Sequence, residues 1–147
     1  MELQTSMIAL DQHVSSYEDA IKKAGQMLVD TECVETEYIK AMIDRNYDVS
    51  TYMGNFIAIP HGTDDGQKYI KKTGISIVQI PTGVNFSDDE SIDNTVTVVF
   101  GIAGKNNEHL NILAKIALFC SEIENVARLA DAQSPQEIIE LLKEVEN

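Results

Sequence analysis

The sequence predicts an α/β domain in which a mixed sheet carries helices on both faces. Three observations predict it. Apolar residues recur at helical spacing in some segments, β-branched runs bounded by turn residues alternate with those segments, and no internal repeat or low-complexity tract interrupts them. With 147 residues the chain is long enough for one hydrophobic core and too short for two ordinary ones, so 1–147 reads as a single domain.

In chain order, residues 7–10 read as a short strand. Ser15-Ser16-Tyr17-Glu18 has the form of a capping box, and Tyr17, Ala20, Ile21, Ala24 and Leu28 then share one helical face. A second helix over 35–45 places Tyr38, Ile39, Met42 and Ile43 on its apolar side. Residues 56–59 are short, apolar and stopped by Pro60, which predicts a buried strand presenting His61 at its end. The β-branched runs 75–80 and 96–102 read as strands, with Pro81-Thr82-Gly83 as a turn and 84–86 as a further short strand. After Gly104, Asn106 or Asn107 is a suitable N-cap for a helix. Leu110, Leu113, Ala114, Ala117 and Leu118 make its face, and Ile112, Ile116 and Phe119 widen it, so burial of much of the helix is expected. Residues 122–131 predict another helix, and Ser134-Pro135-Gln136-Glu137 starts a last amphipathic one.

Composition narrows the function. Eleven basic residues against 24 acidic ones give a net charge of −13. Such a surface keeps a protein soluble, repels nucleic acid and anionic membranes, and complements a basic protein partner. No apolar run reaches the roughly 20 residues of a membrane span, and the start, MELQTSMIAL, lacks the pattern of a signal peptide, so a cytoplasmic protein is expected. Cys33 and Cys120 lie far apart among helix-forming residues, which predicts two reduced core thiols and no disulfide.

The candidates for chemistry are three histidines, His13, His61 and His109. They form no zinc-like cluster with cysteine, and the chain has neither a G-x-S-x-G elbow nor a glycine-rich phosphate loop, so no metal and no cofactor are expected. What remains is imidazole used in its own right, as a base or as a nucleophile, because its neutral form is well populated near pH 7. His61 follows a strand directly. His109 falls in the first turn of a helix, where open backbone N–H groups favour negative charge. Arg45, at the end of the second helix, has bidentate reach to a phosphoryl group. The three define a small anion site if the fold brings them together; read singly, each is an ordinary polar residue, and His13, in a polar stretch, keeps that reading.

Asn46, six residues, Met53-Gly54, two residues, then Ile57-Ala58-Ile59-Pro60-His61-Gly62 resembles the active-site signature of IIA domains of the fructose and mannitol class in the bacterial phosphoenolpyruvate-dependent sugar phosphotransferase system. The similarity extends through the helix carrying Arg45, the segment Lys72-Thr73-Gly74 and 101-GIAGKNNEHLNIL-113, whose Asn106-Asn107-Glu108-His109 form is similar to the mannitol branch. This resemblance implies a mixed sheet of roughly five strands flanked by helices. It also implies a phosphoryl relay, in which His61 accepts phosphate from the phosphohistidine of the carrier protein HPr and passes it to a cysteine of a IIB domain during mannitol uptake. His109 and Arg45 are similar to residues that flank the active histidine and stabilise the phosphoryl group. Many such domains are fused to membrane IIC and IIB domains, so a IICB transporter on a separate polypeptide is expected here. A nitrogen-type regulatory module, whose histidine reports phosphorylation without sugar transport, is the alternative. A degenerate relative without activity is a third, and the joint presence of Arg45, His61 and His109 counts against it.

Overall fold

The two long β-branched runs become the central strands of one sheet, in a computed structural model that describes residues 3–143. Its strands are β1 (Ile8–Ala9), β2 (Tyr52–Gly54), β3 (Ile57–Ala58), β4 (Gly74–Asn85) and β5 (Thr95–Ala103), in the spatial order β1-β4-β5-β3-β2. β1 runs parallel to β4 and β3 parallel to β5, whereas β4 with β5 and β2 with β3 are antiparallel, so the sheet is mixed as expected.

Period-two alternation divides the inner strands between two cores. Val78, Ile80 and Val99 pack with residues of α1 (Tyr17–Asp30) and α2 (Glu37–Asp48). Ile75, Ile77, Val98, Phe100 and Ile102 pack with α3 (His109–Cys120), α4 (Ile123–Asp131) and α5 (Pro135–Leu141). Both faces of the sheet are thus covered. Cys33 belongs to the first core and Cys120 to the second, so the two free buried thiols lie on opposite sides of the sheet. Gly101 leaves room for two side chains, since an added Cβ would sit 2.9 Å from Ala24 Cβ of α1 and 2.5 Å from Ser76 Oγ of β4. No helix among the described residues is long and apolar enough to cross a membrane.

Several elements differ from the sequence expectation, each for a local reason. The α1 cap is Ser16, whose hydroxyl accepts from Asp19 N at 3.2 Å, while Ser15 donates to the Asp19 carboxylate. Pro81-Thr82-Gly83 does not reverse the chain. Gln79 pairs with Val98 and Val84 with Val96, so four residues of β4 intervene where β5 has one, and Gly83, at φ 79, absorbs the excess as a bulge. Phe56 lies outside the buried strand: Asn55 and Phe56, at φ 50 and 68, form the two-residue turn between β2, which was not expected, and β3. Neither Asn106 nor Asn107 caps α3. Both are left-handed, at φ 57 and 66, a conformation asparagine tolerates, and they turn the chain one step earlier. Nor is α3 buried on much of its surface, because its buried residues, Ile116, Phe119 and Cys120, lie in its second half. Leu110 and Leu118 remain 61% and 76% exposed. The Ser134 cap and Pro135 start α5 as expected, and any continuation of that helix past 143 lies outside the described residues.

Candidate functional site

His61 is delivered by a strand that ends just before it. β3 pairs with β5 through Ile57 and Ala58; Ile102 N then donates to Pro60 O at 2.9 Å, and His61 bridges to Ile102. Its ring turns back on its own strand, with Nδ1 2.9 Å from the carbonyl of Ile59. A carbonyl only accepts, so Nδ1 carries the hydrogen and the neutral ring keeps its lone pair on Nε2. Burial is the main cause holding the His61 pKa below its ordinary value. The Ile59 hydrogen bond opposes that shift, and the charges of Arg45 and His109 add to it.

Arg45 occupies the last turn of α2, where Nη1 donates to Val49 O at 2.6 Å and leaves the rest of the guanidinium fork open. The next residue, Asn46, is buried and accepts from Thr51 N at 2.9 Å and Thr51 Oγ1 at 2.7 Å. Thr51 O in turn accepts from Ile59 N at 3.0 Å, so Asn46 shapes the link from the Arg45 helix to the His61 strand.

His109 is the first residue of α3, and its ring centroid lies 6.0 Å from that of His61, tilted by 30°. Only a glycine at position 104 lets the chain fold back this tightly, since a Cβ there would come within 2.1 Å of His109 N. The intervening loop is anchored to the segment before β4. Lys105 N donates to Thr73 Oγ1 at 3.0 Å, Thr73 donates to Glu108 at 2.6 Å, and Lys105 Nζ reaches the carbonyls of Ile70 and Lys71 at 3.3 and 3.2 Å. His109 Nδ1 is buried and meets no hydrogen-bond partner among the described residues.

The fold therefore brings His61, His109 and Arg45 together and leaves His13 outside, on the surface beside Asp11 at 3.6 Å. Among the described residues, no group of three or more His, Cys, Asp or Glu side chains is placed to hold a metal ion. One participant escaped the sequence reading. Tyr38, counted there as an apolar helix residue, donates its hydroxyl to Ile102 O and accepts from Gly62 N, both at 2.8 Å. The available signal was a tyrosine on a buried helical face, since a phenol sealed in a core needs a partner for its hydroxyl.

Known proteins share both the sequence and the shape. Residues 1–145 match the sequence model of the family described as phosphoenolpyruvate-dependent sugar phosphotransferase system, EIIA 2. The chain is 53% identical over 138 residues to the mannitol-specific phosphotransferase enzyme IIA component of Bacillus subtilis, covering 94% of each. It is 52% identical over 135 residues to the protein of the same description from Enterococcus faecalis, covering 92% of each. In shape it matches a chain of the Escherichia coli complex of enzyme IIAMTL and phosphorylated enzyme IIBMTL, with a TM-score of 0.90, 37% identity and 96% of both chains covered. The chain belongs to the EIIA 2 family of the phosphoenolpyruvate-dependent sugar phosphotransferase system.

Proposed function

We propose that His61 is a transient phosphoryl carrier for mannitol uptake, charged by the phosphohistidine of HPr and discharged onto a cysteine of a mannitol IIB domain. The observation that carries this is the 2.9 Å contact of His61 Nδ1 with Ile59 O, which frees Nε2 as the nucleophile. In the first step the Nε2 lone pair attacks the phosphorus of the donor, and the donor's P–N bond breaks as the new one forms. In the second, a IIB thiolate attacks that phosphorus and His61 Nε2 leaves with the electron pair. A phosphohistidine suits such a relay because its P–N bond is high in energy and transfer runs in either direction.

Arg45 and His109 neutralise charge on the phosphoryl oxygens, a role supported by their placement beside His61. The exposed line Leu110, Ala114 and Leu118 on α3 starts at the histidine pair and offers apolar contact to an arriving protein. Mannitol is favoured over a regulatory role by the mannitol-specific relatives at 53% and 52% identity.

Incubation with phosphoenolpyruvate, enzyme I and HPr is expected to add one phosphoryl group by intact mass, labile in acid and stable in base, and absent from His61→Ala. Arg45→Gln and His109→Ala are expected to take phosphate on the order of 10²–10³ times more slowly. Adding a mannitol IICB protein and mannitol then yields mannitol phosphate. A phosphorylated chain that IICB cannot discharge would instead support the nitrogen-type regulatory module.

A further inference from the structure

We infer that the Tyr38 hydroxyl is a positioning group for phosphoryl transfer, joining the three segments that carry Arg45, His61 and His109. The inference rests on His61 as the phosphoryl acceptor. The hydroxyl donates to Ile102 O and accepts from Gly62 N, each at 2.8 Å. Gly62 is the neighbour of His61. Ile102 is the residue to which His61 bridges, and the chain runs from it through Gly104 to His109. Tyr38 itself stands on α2 seven residues before Arg45, two helical turns along the same face.

The fit around this hydroxyl is close. Tyr38 is 2% exposed, and a Cβ added at Gly62 would lie 2.5 Å from its Cε1. Burial pushes the phenol up to about 12, so the hydroxyl keeps its proton and serves as donor and acceptor at once near neutrality. Removing the oxygen alone would free the Gly62 N–H and the Ile102 C=O while leaving the ring in its place. His61 Nδ1 would then face Ile59 O from a looser backbone, and displacements of about an ångström in such sites slow reactions by roughly a hundredfold.

Tyr38→Phe tests this with two readouts. In single-turnover transfer from phospho-HPr, the rate at saturation is expected to fall at least tenfold while the half-saturating HPr concentration stays within twofold, because no docking surface has changed. In the unphosphorylated protein, the ¹⁵N spectrum of His61 is expected to lose population from the Nδ1–H tautomer. Met42→Leu, a buried change one turn along the same helix that leaves both partners of the hydroxyl in place, controls for general loosening, and Gly62→Ala, whose Cβ would press on the Tyr38 ring at Cε1 and Cζ, replaces Tyr38→Phe if that variant fails to fold. A wild-type rate, or an unchanged tautomer population, in a folded Tyr38→Phe overturns the inference, as does a rate loss that Met42→Leu reproduces. If wild-type His61 itself takes no phosphate, the carrier function fails, and the tautomer spectrum still decides whether Tyr38 positions the ring.

Discussion

Burial of the His61 imidazole links folding to pH. Histidine in an unfolded chain titrates near 6.5, and His61 in the folded chain titrates lower, chiefly through desolvation. A depressed value means that the unfolded chain binds the proton first. The stability linked to His61 is therefore fully present above about pH 6.5 and is lost as pH falls through the folded value. Calorimetry between pH 7 and 5 should show the melting temperature of the wild type dropping more steeply than that of His61→Gln; parallel curves would mean that the ring is not held neutral by its burial. At this scale His61, Arg45 and His109 were legible as residue types at telling positions. The tautomer of His61 and the second use of Tyr38 were not, because each depends on a backbone carbonyl whose position only the folded chain defines, in the case of Tyr38 64 residues away.

Among the elements, helix starts and strand interruptions show where local chemistry was read correctly and then displaced by pairing. Two serines precede α1, and only the second caps it, so Ser16→Ala should cost about 1 kcal/mol and Ser15→Ala less. In thermal unfolding the first change corresponds to a drop of about 2–4 °C, and equal effects would contradict the cap geometry. Pro81-Thr82-Gly83 has the composition of a turn, yet β5 pairs with the chain on both sides of it, and a long strand with a bulge results. Tertiary pairing also explains the buried Gln79 inside an apolar run. Its Nε2 donates to Leu129 O and Ala132 O, both at 3.0 Å, and its Oε1 accepts from Asp11 N at 2.9 Å, closing the end of α4 and fixing the chain after β1. No periodicity in the sequence announces a residue whose partners are three backbone groups distant along the chain.

For the molecule as a whole, the fold class was legible because the β-branched runs 75–80 and 96–102 alternate with segments of helical spacing. Which helix covers which face was not, since that follows from the strand order. The overall charge of −13 bears on encounter. A donor with basic residues around its histidine should be steered towards this surface, so association measured by stopped-flow transfer should slow as salt rises, and a flat profile would remove steering from the relay. The same strand order has a consequence in time. β3 lies between β2, its neighbour in sequence, and β5, which the ribosome makes some forty residues later, and the Tyr38 contact spans 64 residues. During refolding α1 and α2 gain their helical signal from local contacts, whereas the histidine pair exists only once β5 has closed these long loops. The histidine pair is thus assembled entirely by contacts distant in sequence, and a chain whose β5 has not paired holds its first two helices without holding the pair.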